Sequence, residues 1–146
     1  MVVDFAIFYH NIIYRVPASD NEHRSALVAA GRLPLLSVPT PVIEEVCLFI
    51  EATKTHELAA VSNVEDLKLF LDFDLAILAA DWPVYEAYLN NIRKEYKFYP
   101  DMLYYPGRKK FLKTMLAKAH IYHTEIFRSS HEARARQNMQ RELDIY

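Results

Sequence analysis

The sequence predicts an all-helical protein, a compact bundle of about seven helices. Three observations support this. Apolar residues recur at i, i+3, i+4 and i+7 through most of the chain, and no convincing period-two stretch interrupts them. Only 2 glycines stand against 7 prolines, a balance that suits helices joined by sharp breaks better than hairpins. Capping signals fall at intervals that fit helices of ordinary length.

The first helix is read over Val3 to Tyr14. Phe5, Phe8, Tyr9, Ile12 and Ile13 fall at helical spacing, and Val3, Ala6 and Ile7 make the other side apolar too. A helix apolar all round is expected inside a core. Two adjacent polar side chains, His10 and Asn11, interrupt it, and buried polar groups need partners. Met1 leads straight into this segment, so the rest of the domain, a partner chain or a preceding segment should cover it.

Arg15-Val16-Pro17 ends the first helix. Ser19-x-x-Glu22 reads as a capping box for a second helix reaching Gly31, with Ser25, Ala26, Ala29 and Ala30 small enough for close packing. Thr40-Pro41 opens a third, running to about Thr53. Asn63 caps a fourth, expected from Val64 to about Ala80, with Leu67, Phe70, Leu71, Leu75 and Leu78 as its stripe. Asp74 falls within that stripe, whereas Asp72 points away from it. A carboxylate on the core side needs a cation, a metal or several donors. Arg93 is one candidate partner. Trp82-Pro83 starts a fifth helix, Pro106-Gly107 breaks the chain before a sixth, and Ser129-x-x-Glu132 caps the last.

At 146 residues the chain fits one domain with a real core, and 52% hydrophobic with 25% charged residues is ordinary for a globular protein. Its single cysteine, Cys47, excludes an internal disulfide and a paired-cysteine zinc site, and reads as a small buried apolar side chain. No apolar run approaches the roughly 20 residues of a membrane span. No leader sequence is evident, which points to the cytoplasm. The net charge of -2 conceals an asymmetry. Residues 1–107 hold 8 basic against 15 acidic side chains, and residues 108–146 hold 9 against 4. An acidic body with a basic C-terminal third suits an anionic ligand facing both, and solvated helix faces are the plainer reading. The basic part carries no nucleic-acid motif.

Order and spacing add to the periodicity. Phe8-Tyr9-His10-Asn11-Ile12-Ile13-Tyr14, Asn21-Glu22-x-x-Ser25-Ala26, Ala52-Thr53-Lys54-Thr55-His56 and Phe70-Leu71-Asp72-Phe73-Asp74-Leu75-Ala76-Ile77-Leu78 resemble the predicted metal-dependent phosphohydrolases of the HD superfamily. Ile92-Arg93-Lys94-Glu95-Tyr96, Gly107-Arg108 and Ala135-Arg136-Gln137-Asn138-Met139-x-x-Glu142-Leu143 extend the resemblance over nearly the whole chain. It implies a single HD-like helical domain over residues 1–146, without the family's N-terminal helix. It also implies a hydrolase that binds a divalent metal ion (Zn, Mn, Fe or Mg) and acts on a phosphate ester, a nucleotide being one candidate.

By position, the resemblance makes His10, Asn11 and Asp74 the metal ligands. Glu22 and Asp72 become the catalytic acid–base candidates, and Lys54, His56 and Arg108 the substrate-side groups. Two departures matter. An Asn stands where the family's pair has Asp, and the family's first His, on an upstream helix, has no counterpart. His56 is the available substitute ligand. The alternative implied is a catalytically inactive module that binds a nucleotide or a protein partner, and a homodimer covering the first helix is a further candidate.

Overall fold

A computed structural model describes residues 1–146. It is all-helical, with seven α-helices, two short 3-10 turns and no strand. The chain divides into two compact units, Met1–Asp74 and Leu75–Tyr146.

The first unit holds α1 (Val2–Tyr9), α2 (Asn21–Arg32), a 3-10 turn (Leu33–Leu36), α3 (Thr40–Ala52) and α4 (Val64–Asp74). Its core is built from Ala6 and Tyr9 of α1, Ala26 and Ala29 of α2, Val46, Phe49 and Ile50 of α3, and Leu67, Phe70 and Leu71 of α4. The small residues of α2 let it lie close against α3, as their spacing suggested. Cys47 is half-buried on α3, and its thiol meets the Ala26 carbonyl at 3.5 Å. Asn63 caps α4 as expected, its Oδ1 accepting from the Asp66 amide at 3.2 Å.

The first helix departs from the sequence reading twice. It stops at Tyr9, and only Ala6 and Tyr9 are buried, while Ile7 and Phe8 are exposed. The cause lies in α2. Ser25, fully buried, accepts from the Ile13 amide through Oγ at 3.1 Å and donates to the Ile13 carbonyl at 3.2 Å. Asn21 accepts from the Arg15 amide and donates to the carbonyls of Arg15 and Ala18. These side chains give the backbone after His10 partners that a longer helix would otherwise supply. Ser25→Ala strands both bonds, so it should destabilise the protein by about 1–3 kcal/mol, read from urea unfolding.

Elsewhere the differences concern element ends. The residue flanking α2 is Asp20, and no side chain caps it, so Ser19-x-x-Glu22 forms no capping box. Ser129 and Glu132 lie inside α7, whose cap is Thr124, accepting from the Phe127 amide at 3.4 Å. The fourth helix ends at Asp74 rather than near Ala80. The chain continues as a 3-10 turn, Ala76–Ala79.

The second unit holds that turn with α5 (Trp82–Glu95), α6 (Asp101–Ala117) and α7 (Glu125–Ile145). Pro106 and Gly107 lie within α6 and do not break it. Its polar interior is ordered by α7. Asn138 donates to the carbonyls of Leu78 and Ala80 at 2.9 and 2.8 Å, holding the 3-10 turn. Arg136 donates to the carbonyls of Leu116, Lys118 and Ala119, the open end of α6. Glu132 accepts from the amides of Ile121 and Tyr122.

Candidate functional site

The site in the first unit forms where three chain ends meet. His10 directly follows α1, His56 follows the turn after α3, and Asp74 is the last residue of α4. The Asp74 carboxylate takes one imidazole on each oxygen. His10 Nε2 lies 3.3 Å from Oδ1, and His56 Nε2 lies 2.7 Å from Oδ2. All three side chains are about one-fifth exposed.

Local geometry fixes one proton of His10. His10 Nδ1 lies 2.8 Å from the Ile7 carbonyl, which can only accept, so Nδ1 carries a hydrogen. Nε2 pairs with the carboxylate as a donor only when it is protonated too, so the imidazolium is the form of His10 that bridges Ile7 and Asp74. The charges agree with this. The bond to Asp74 raises the His10 pKa, against the opposing pull of burial. Burial alone would raise the Asp74 pKa, but the bonds and charges of the two imidazoles outweigh it and hold the carboxyl well below the usual carboxylate range.

His56 is held in an uncommon backbone state. Its φ is 54°, in the left-handed region, and its amide closes the end of α3 on the Ala52 carbonyl at 2.8 Å. Left-handed backbone costs a side-chain-bearing residue about 1 kcal/mol relative to glycine. His56→Gly and His56→Ala lose the same bond to Asp74, but only the alanine keeps the strain. The glycine variant should therefore be more stable than the alanine variant by about 1 kcal/mol, measured by urea unfolding.

The other residues singled out in the sequence lie elsewhere. Asn11 is exposed and is not among the groups on Asp74. Asp72 is fully buried, which reverses the expected order: it is more enclosed than Asp74. The helical period does set Asp74 on the side of Phe70 and Leu71. Because α4 ends there, however, Asp74 sits at the rim, and Asp72, one turn-face away, is the covered one. Glu22 is half-buried in the first turn of α2. Lys54 Nζ donates to the Ser19 carbonyl at 2.9 Å on the surface. Arg108 belongs to the second unit, with Nε and a terminal nitrogen on the Glu142 carboxylate at 2.7 and 3.1 Å. Tyr85 Oη donates to the same carboxylate at 2.6 Å. Arg93 bonds Asp101 and the carbonyls of Tyr96 and Tyr99. The role of Glu142 was not read from the sequence. Its signal was a lone acid three and seven residues after Met139 and Ala135, on the apolar face of α7.

Two imidazoles and a carboxylate are the right donors for a divalent ion. Their arrangement does not fit one. The Nε2 atom of each ring faces a different oxygen of Asp74, and no group of three or more His, Cys, Asp or Glu side chains is arranged to hold an ion. What the cluster does offer is an open pocket of about 330 Å3, lined by Ile7, His10, Phe70, Phe73 and Asp74. Phe73 and Ile7 stand half-exposed at its mouth, and Phe70 is buried with its ring 5.8 Å from that of His10. No protein-family model, curated protein or solved structure matches the chain.

Proposed function

We propose that this chain is a ligand-binding module on the plan of the HD phosphohydrolases, in which His10, Asp74 and His56 serve recognition rather than metal-assisted hydrolysis. One observation carries this reading: the carboxylate that would ligate a metal is closed by an imidazole on each oxygen. The pocket beside it lies at the small end of the range for small-molecule sites. Phe70 and Phe73 supply aromatic surface, and His10 and Asp74 supply hydrogen-bonding groups on one side. A nucleobase combines a flat apolar face with a polar edge and suits that lining. Arg108 and Lys54 are engaged elsewhere, so the base rather than the phosphate carries recognition.

Calorimetric titration with nucleosides and their 5′-monophosphates tests the proposal. The two forms should bind with similar affinity, and Phe73→Ala or Asp74→Asn should each weaken binding about tenfold, equivalent to about 1.4 kcal/mol. If no nucleoside saturates the protein below about 1 mM, the reading is abandoned.

One observation favours the phosphohydrolase instead. His10 Nδ1 donates to the Ile7 carbonyl, the backbone tie that commonly orients metal-ligating imidazoles. Metal content after purification, with a panel of phosphodiesters and nucleotides, separates the two. One equivalent of Zn, Mn, Fe or Mg, together with turnover lost in Asp74→Ala, would replace the binding-module reading.

A further inference from the structure

We propose that the outer face of α6 docks an acidic, amphipathic segment of a protein partner. The inner side of α6 is buried through Tyr104, Leu112 and Met115. Its opposite side forms an open groove of about 550 Å3, lined by Pro106, Lys109, Lys110, Lys113, Thr114 and Ala117.

Three features define the occupant. The first is charge. No Asp or Glu occurs between Asp101 and Glu125, while Arg108, Lys109, Lys110, Lys113 and Lys118 all do. Arg108 is neutralised inside the unit by Glu142, but Lys109, Lys110 and Lys113 form no ion pair. Lys68 in the first unit, by contrast, meets Glu65 at 2.7 Å. Lys109 and Lys113 stand four apart, and Lys110 and Lys113 three apart, spacings at which like charges on a helix repel one another. The fold gains nothing from that repulsion, and an anionic partner relieves it.

The second feature is the floor. Pro106, Ala117 and the methylene stems of the lysines make it apolar. Met102 and Leu103, both exposed, extend apolar surface along the same helix towards its N-terminus. A partner needs apolar side chains for the floor as well as carboxylates for the rim. The third is what the groove lacks. It holds no aromatic ring on which bases could stack and no arginine to fork onto phosphate. Compact ammonium groups over an aliphatic floor match an amphipathic protein segment better than a nucleic acid.

Fluorescence anisotropy on the full chain tests this with a labelled peptide of about 20 residues carrying Glu and Leu at helical spacing. The peptide should bind at about 0.05 M salt and weaken steeply by about 0.5 M. Combined Lys109→Glu, Lys110→Glu and Lys113→Glu should reduce affinity at least tenfold, or about 1.4 kcal/mol, with the far-ultraviolet circular dichroism unchanged. If the triple variant loses helicity, the single reversals carry the same test, each expected to lose about threefold. Failure of the peptide to bind, or binding indifferent to the reversals, overturns the proposal. So does equally tight binding of polyglutamate or a single-stranded oligothymidylate.

Discussion

Glu142→Gln should destabilise the second unit by about 3–5 kcal/mol, the largest effect expected of any single substitution here. Glu142 is wholly buried, and its two oxygens accept from Arg108 and Tyr85 at 2.6 to 3.1 Å. The amide keeps the shape but removes the charge, leaving the Arg108 guanidinium, itself only 9% exposed, without its counter-ion. A buried cation without a counter-ion costs more than the pair ever contributed, because water cannot reach it. The signature is therefore non-additive. Glu142→Leu combined with Arg108→Met and Tyr85→Phe should recover most of the loss, since apolar side chains of similar size can replace a buried pair at little cost once no donor is left facing them. Tyr85→Phe removes one neutral donor and should cost about 1–2 kcal/mol. Trp82, the only tryptophan, lies in the same unit with Arg141 over its ring at 3.7 Å, so its fluorescence reports this transition directly. A Glu142→Gln variant within 1 kcal/mol of the parent would show that solvent reaches the pair.

That cluster also marks where the sequence was legible and where it was not. Helical periodicity carried the all-helical architecture, the seven-helix count and the core side of most elements, because burial on one face repeats every 3.6 residues. It placed Asp74 on the face of α4 that meets His10, and the two lie 3.3 Å apart. Periodicity misled at α1. There a segment apolar on every side is only one-sidedly buried, and its end is set by Ser25 and Asn21, more than ten residues along for His10. It misled again at Asp72, where enclosure depends on what lies over the far side of the helix and not on the helix's own stripe. Local capping patterns failed where a competing bond won. Ser129 turns back to the Glu125 carbonyl and Glu132 reaches the amides of Ile121 and Tyr122, so neither caps α7. The resemblance makes Arg108 a substrate-side group, whereas its actual partner, Glu142, 34 residues away on α7, leaves no local trace in the sequence.

The His10–Asp74 pair should give the protein a stability maximum in mildly acidic solution. Each partner sets one limb. The Asp74 pKa is depressed in the folded state, so its contribution is present above the unfolded carboxylate value near 4 and is lost as pH falls below it. The His10 pKa is raised, so its contribution is complete below the unfolded imidazole value of about 6.5 and is lost as pH rises through the higher folded value. Both are complete between about pH 4 and 6.5; above that window the contribution of His10 declines until pH passes the raised folded value, where the imidazolium gives up its proton and the bond to Oδ1 with it. Removing the carboxylate in Asp74→Asn should cost about 1.5–3 kcal/mol near pH 5.5, the usual value of a hydrogen bond to a charged group, and clearly less near pH 8.5. His10→Gln should flatten the alkaline limb while leaving other pH dependence in place. Urea unfolding of the parent and both variants across that range, followed by circular dichroism, reads the effect. Parallel curves for parent and His10→Gln would mean that the His10 proton is not what binds Asp74. The imidazolium bridge from the Ile7 carbonyl to the carboxylate would then have to be replaced by a neutral ring facing away from Oδ1.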